Sequence, residues 1–425
     1  MVNSWDKPEL FGVGQFTDLR LYGEALRLAS SKNFISIDSL QADLPQRIKG
    51  LLLVEGFGKK AFVDLLRELQ RFGFIHKVYT DKYIITPAGI EYSKIELTDP
   101  IIAKRILLQK TQKVFVTPAW FINRMWKWNH NGQGQIVIPK PIKEWSTASR
   151  RWEDNRWTAE LEDVCNLTYN RIQQVLPGAF PVPIATWIDE VKQEYEREGT
   201  LKPRQKISLA KEKAKYNPKA RLSNVMKNVS VRLIFSKTDP QTGIDDFANI
   251  RSQMTHRAFM IWCPRLEEFG LLFYTDYKPE IPGRLLFPTS VFKQQGEYEN
   301  YLGNDFMLNP EGQMLYVFNP LWNSFKDVYK RTLFEVYEYF YNQQRIIYIS
   351  LHDIRDEVCR QLRISPSLFE NFLFNTYKSS LKKEIEYSIS LETDLRQDMK
   401  VQVNRRGVYM NGVLYTLIAI KSYKI

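Results

Sequence analysis

The sequence predicts an α+β protein of several domains, and three observations carry that prediction. Both ends of the chain follow one order of elements: helix, short apolar strand, short helix, long amphipathic helix, two-stranded hairpin. Residues 98–200 show mainly helical spacing and hold seven of the ten tryptophans. Residues 233–324 are strand-rich in pattern, with apolar runs separated by Gly/Pro turns. At 425 residues the chain is long enough for two to four domains with real cores. The predicted division is 1–97, 98–200, a basic linker or arm at 201–232, 233–324 and 325–425.

The N-terminal segment opens with a helical run that puts Leu19, Tyr22, Leu26 and Ala29 on one face. Phe34–Ile37 is a short strand, and Asp38 is a candidate N-cap for a helix over Ser39–Ala42. From Lys59 to Phe72, helical spacing aligns Phe62, Leu65, Leu66, Leu69 and Phe72 in one stripe. Gly73 stops that helix. Phe74–Tyr79 and Lys82–Thr86 then pair across Thr80-Asp81 as a hairpin, and Pro87 opens a closing helix.

The C-terminal segment repeats the plan. Phe334, Tyr337 and Tyr341 mark an aromatic first helix, and Ile346–Ile349 is the strand. Ser350 caps a helix carrying Leu351, Ile354, Val358 and Leu362. Ser365-Pro366 starts the long helix, with Leu368, Phe369, Phe372 and Leu373 as its buried stripe. Ile385–Leu391 is a strand, and Asn411-Gly412 is a tight-turn signal between two short apolar runs. In the middle, Phe259–Cys263, Leu271–Tyr274, Leu285–Phe287 and Leu315–Phe318 read as strands. No short-period repeat or low-complexity tract is visible.

The stretch from Lys59 to Tyr92, with Leu69-Gln70-Arg71-Phe72-Gly73 and Ile84-Ile85-Thr86-Pro87-Ala88-Gly89, resembles the second half of a prokaryotic winged helix. The resemblance is to the winged-helix superfamily and covers the two ends, about half of the chain. It implies winged-helix modules at both termini, flanking the helical Trp-rich region and the strand-rich region. It also implies DNA binding as the commonest use and protein docking as the second. It carries over no catalytic residue.

The charge has a location. The chain carries a net +12, and between Leu201 and Arg232 ten Lys/Arg stand against one acid, Glu212, so that this stretch alone contributes +9. Such a block attracts polyanions by releasing their counterions, or serves as a solvated linker. Three widely spaced cysteines form neither a disulfide framework nor a zinc clip. No apolar run reaches the roughly 18 residues that cross a bilayer, and Met1–Lys7 lacks the blocks of a signal peptide. A cytoplasmic protein with no membrane partner is expected.

Candidate nucleic-acid contacts follow from these patterns. The face of the first long helix opposite its apolar stripe carries Lys59, Lys60, Asp64, Arg67, Glu68 and Arg71, and the hairpin adds Lys77 and Lys82. Lysine and arginine donate to phosphates and guanine edges. Asp64 and Glu68 would repel phosphate unless paired one turn away, and Arg67 and Arg71 are spaced to do so. The basic stretch offers Lys202, Arg204, Lys206, Lys211, Lys213, Lys215, Lys219 and Arg221. The second long helix exposes Glu370, Asn371, Asn375 and Lys378, and Arg405 and Arg406 lie near the last hairpin.

Two further patterns have competing readings. The tryptophans from Trp120 to Trp157 interleave with Arg124, Lys127, Lys140, Arg150, Arg151 and Arg156. That composition suits stacking of unpaired bases, or a core in which arginines stack on indoles. Asp276-Tyr277-Lys278, with an earlier acid such as Asp245, Asp246 or Glu268, has the minimal content of a metal-dependent nuclease site. The four histidines have no ligand or triad spacing, and Gly132-Gln133-Gly134 reads as a turn. The leading expectation is a non-enzymatic protein without cofactor that binds duplex DNA, within a prokaryotic defence, restriction or replication assembly. A kleisin-like scaffold with protein-docking winged helices, and a nuclease using Asp276 and Lys278, are the alternatives.

Overall fold

The computed structural model describes residues 19–32, 34–47, 59–115, 117–128, 134–142, 156–200, 218–236, 254–275, 281–291, 306–308, 314–317, 321–394, 407–410 and 413–422. They mix many helices with small sheets of two or three strands, an α+β fold. The chain divides into two compact units. Unit 1 holds Met1–Ala119, Ile261–Phe273 and Thr289–Ile425, and unit 2 holds Trp120–Met260 and Tyr274–Pro288. The terminal segments 1–97 and 325–425 thus fall in the same unit.

At the start of unit 1, α1 (Arg20–Lys32), α2 (Ile37–Arg47) and α3 (Lys59–Arg71) precede β1 (Ile75–Tyr79), β2 (Lys82–Ile85) and α4 (Pro87–Thr98). Leu19, Tyr22, Leu26 and Ala29 are buried, as their spacing predicts. The strand expected at Phe34–Ile37 reduces to one bridge, Ile35 to Tyr83, because α2 already begins at Ile37; the bridge still lies beside the last strand. The start of α2 is held by Ser36 rather than Asp38. Ser36 Oγ accepts from Ser39 N at 3.1 Å while Ser39 Oγ accepts from Ser36 N at 2.8 Å, a reciprocal cap. Thr86 caps α4 through Gly89 N at 3.1 Å. Gly89 lies so close to Phe74 that a Cβ there would overlap the Phe74 carbonyl oxygen. Gly89→Ala is therefore expected to cost about 1–3 kcal/mol, read by urea unfolding.

The C-terminal segment is built from α11 (Trp322–Gln344), β9 (Ile349–Ser350), α12 (Leu351–Leu362), α13 (Pro366–Leu381), β10 (Tyr387–Glu392), β11 (Val408–Met410), β12 (Val413–Tyr415) and β13 (Leu417–Ser422). The antiparallel sheet runs β10–β13–β9, again with the first strand beside the last. The strand predicted at Ile346–Ile349 shrinks to Ile349–Ser350, because Ile346, Ile347 and Tyr348 are exposed and pair with nothing in a ladder. Val408↔Tyr415 and Met410↔Val413 bracket Asn411-Gly412, which themselves lie outside the described residues. Ser365 caps α13, with Pro366 in its first turn.

Between the two segments, unit 1 adds α5 (Pro100–Val114) and the end of α10 (His256–Glu268). The strand expected at Phe259–Cys263 is therefore a helix. Phe259, Trp262, Cys263 and Leu266 are all buried, at spacings of three and four that suit one helical face. A short apolar run reads equally as strand or buried helix, and Pro264 inside it argues for a break.

One helix ending recurs three times. α3 ends at Gly73 (φ 75), α10 at Gly270 (φ 73) and α13 at Lys383 (φ 56). Each left-handed residue donates its N–H three residues back, and the next residue donates five back: Phe74 to Leu69, Leu271 to Leu266, Glu384 to Ser379. Two orphan helix carbonyls are satisfied this way.

Unit 2 contains the rest of α6 (Thr117–Trp128), then β3 (Ile136–Pro139), α7 (Ala159–Val175), α8 (Ile184–Thr200), α9 (Pro218–Ile234) and β5 (Gly283–Pro288). β4 (Leu272–Thr275) belongs to the sheet ordered β3–β5–β4, and β6 (Ser290–Val291), β7 (Phe306–Leu308) and β8 (Met314–Val317) form a separate one. The strands expected near Leu271, Leu285 and Leu315 are present. Aromatic rings fill the core of unit 2: Phe121 stacks on Phe235 at 4.2 Å, and Phe180 meets Trp187 edge-on at 5.1 Å.

Candidate nucleic-acid interface

The N-terminal long helix is buried on more than its apolar side. Ala61, Phe62, Leu65, Leu66 and Leu69 are buried as predicted, but Asp64 and Glu68 are buried too, at 7% and 2% exposure. The sequence expectation that these acids sit on an open face is corrected by α10. Arg265, itself 2% exposed, donates to Glu68 at 3.0 and 3.4 Å. Tyr22 donates its hydroxyl to the same carboxylate. Burial, the largest single influence, lowers the Arg265 pKa; the charge and hydrogen bond of Glu68, with Tyr22 and Asp64, together outweigh it, and the net shift is upward. Arg67 is spent on Asp64 at 3.3 Å, and Arg71 is half-buried over the Phe115 ring at 5.9 Å. Lys59 and Lys60 lie in the first turn of α3, with side chains outside the described residues.

The hairpin is open by contrast. Lys77 and Lys82 are exposed, Lys77 with its ammonium 6.0 Å from the Tyr83 ring and Lys82 4.6 Å from Phe34. Tyr79, at 69% exposure, stands beside them.

On α13 the outer face carries Asn371, Asn375 and Lys378. Asn371 and Lys378 are exposed, Asn375 donates to Asn371 at 3.2 Å, and the Lys378 ammonium rests 4.0 Å from the Phe374 ring. Glu370, counted with this face in the sequence, turns inward. Burial pushes its carboxyl up to about 7; Arg355 opposes, Glu268 adds, Lys104 opposes and Glu267 adds. Lys104 reaches both Glu268 at 3.2 Å and Ser367 at 3.1 Å. Arg355 is 2% exposed and bonds Asp356 at 3.1 Å and the His352 ring at 2.7 Å.

Of the basic stretch, residues 201–217 lie outside the described residues, so Lys202, Arg204, Lys206, Lys211, Lys213 and Lys215 have no assigned place; Lys219 is on α9 with its side chain undescribed. Within α9, Arg221 and Arg232 are committed internally. Arg221 sits 3.9 Å from the Tyr195 ring of α8, and Arg232 pairs with Glu190 and Glu194. These arginines fasten α9 to α8, which reduces the charge this stretch offers to a partner. Arg405, Arg406, Asp245, Asp246, Asp276 and Lys278 also lie outside the described residues. Among the described residues no cluster of His, Cys, Asp and Glu has the makings of a metal site.

In the Trp-rich region Trp120, Trp187 and Arg124 have core roles, while Arg156 is exposed and Trp157 is half-buried, its indole donating to Glu162 at 3.2 Å. Trp120 and Trp187 are buried, and the Trp187 indole donates to Ser230 at 2.9 Å. Arg124, at 1% exposure, donates to the Ile234 and Ser236 carbonyls at 3.0 and 2.8 Å and closes the end of α9. Trp145, Trp152, Arg150 and Arg151 are outside the described residues. The Arg265–Glu68 pair is the main feature that sequence reasoning misses. Its only signal is the pair of acids on a helix otherwise dressed with cations.

Comparison of the chain with protein-family models, with curated proteins and with solved structures finds no match. No helix among the described residues is long and apolar enough to cross a membrane.

Proposed function

We propose that the chain is a non-enzymatic, cytoplasmic DNA-binding protein whose two terminal modules are winged helices, acting within a prokaryotic DNA-transacting assembly. The observation that carries this reading is the outward strip of α13. Asn371 and Asn375 present amides able to bond adenine, and Lys378 supplies a cation for phosphate or guanine. The helix around them is anchored by a buried aromatic stripe, so the strip is held by packing rather than by its own contacts. The basic residues of 201–217, Arg405 and Arg406 would add phosphate affinity without sequence preference.

Filter binding of duplex DNA over a salt series tests the reading. Log affinity is expected to fall linearly with log salt, by about 0.9 per phosphate neutralised. Lys378→Glu should weaken binding severalfold or more, by the measure of a lost charge-assisted contact that becomes repulsive. Absence of detectable affinity at low salt rejects the proposal.

A second reading, the kleisin-like scaffold, is favoured by one observation: Asp64 and Glu68 of α3 are buried, and Glu68 pairs with Arg265 of α10, so this face of the helix meets protein groups. On that reading the terminal modules grip protein partners, and an ATPase subunit co-purifies with the chain while duplex DNA does not.

A further inference from the structure

We infer that α10, β4 and β5 form a third copy of the helix–hairpin plan, that Arg265 at the C-terminal end of α10 occupies the reading face of α3 by pairing with Glu68, and that the N-terminal module therefore meets duplex DNA through its hairpin, on the sugar–phosphate backbone and without base preference. The inference rests on the DNA-binding reading above and names the surface used by one module.

The third copy is visible in bonds as well as in element order. Leu69-Gln70-Arg71-Phe72-Gly73 is matched by Leu266-Glu267-Glu268-Phe269-Gly270, and both helices end in the same left-handed glycine with the same two backbone bonds. After each hairpin a threonine returns to that ending. Thr86 N donates to Phe74 O at 2.9 Å and Thr289 N to Leu271 O at 3.0 Å. The Thr86 hydroxyl donates to the Gly73 carbonyl and the Thr289 hydroxyl to the Gly270 carbonyl. The sheet order β3–β5–β4 puts the first strand beside the last, as β9–β13–β10 does in the C-terminal module.

α10 is thus a helix of the same type as α3, and a buried ion pair, Arg265 with Glu68, links the two. A helix that reads bases must present a row of side chains to the groove. Among the described side chains of α3 only Arg67 and Gln70 are exposed, and Arg67 is paired to Asp64. Opening the face would strand a buried carboxylate and a buried guanidinium, a large penalty.

The hairpin has what the helix lacks. Between Ile75 and Ile85 it carries Lys77, Lys82 and His76 against one acid, Asp81. Lys77 and Lys82 have no carboxylate partner among the described residues and stand over aromatic rings. Cations placed this way meet phosphates, which position a duplex but carry no sequence information.

The test uses the full chain and mixed-sequence 20–30-base-pair duplexes, compared by filter binding over a salt series for the wild type, Lys77→Glu/Lys82→Glu, and Arg67→Ala/Gln70→Ala. Thermal melts confirm that each variant folds, and Lys77→Gln/Lys82→Gln serves as a milder version of the first. The hairpin variants are expected to lose about tenfold or more in affinity and to flatten the log–log salt slope by about 2, equally for every duplex sequence. The α3 variant should stay within about twofold of wild type, as phosphate-only contact elsewhere requires. If the wild type binds but the hairpin variants bind as well as it does, or the α3 variant alone loses affinity, the inference is overturned and DNA binding stands. If the wild type itself binds no duplex at low salt, both fall.

Discussion

Replacing Arg265 by methionine is expected to destabilise unit 1 by about 3–5 kcal/mol, the cost of leaving one partner of a buried ion pair without the other. Glu68 would remain at 2% exposure, still accepting from the Tyr22 hydroxyl but without the buried guanidinium that answers its charge. Methionine has the length to fill the space, so the loss measures the stranded charge more than a cavity. Adding Glu68→Gln should restore most of the stability, because the amide has no charge to desolvate and can still accept from Tyr22. Chemical denaturation of the two single variants and the double variant reads the coupling directly. Additive losses would show that the two side chains do not depend on each other.

The second large effect is a pH dependence centred on Glu370. Its carboxyl is pushed from an ordinary 4.5 up to about 7, by burial first. The groups facing it are Arg355, Lys104, Glu267 and Glu268, from α12, α5 and the end of α10. A folded value above the unfolded one means that the fold holds the proton more tightly. The stabilisation is therefore complete below about 4.5 and is lost as the pH rises through about 7. Glu370→Gln keeps the shape and removes the titration. Its stability relative to wild type should climb by roughly 3 kcal/mol between about pH 4.5 and about pH 8, since each tenfold change in proton affinity is worth about 1.4 kcal/mol. A difference that stays flat over that range would show that Glu370 does not titrate in the fold.

Much of the local structure is legible in the sequence because it depends on spacing and punctuation. Phe62, Leu65, Leu66 and Leu69 announce α3, Gly73 its end, and Ser365-Pro366 the start of α13. The errors share a cause. Phe259–Cys263 is a run of five apolar residues that includes the exposed Met260, and so short an apolar run does not separate helix from strand. Glu68 reads as solvent-facing because its partner, Arg265, lies far along the chain, and no local rule reports a pairing at that separation. Arg221 and Arg232 belong to a run whose composition promises free charge, yet each is answered by α8. The exposure of Lys77, Lys82, Asn371 and Lys378 is legible in the sequence, because surface cations and amides on a regular element need no distant partner to be placed.

The polypeptide passes between the two units four times: inside α6, inside α10, inside β4, and between Pro288 and Thr289 at the end of β5. No choice of cloning boundaries at loops yields either unit with its elements whole. A fragment ending at residue 119 or starting at residue 261 begins or stops in mid-helix, with raw apolar surface and unpaired backbone groups. Attempts to express fragments cut at these crossings should therefore give insoluble material. Protease-stable cores from the intact chain should retain residues on both sides of each crossing.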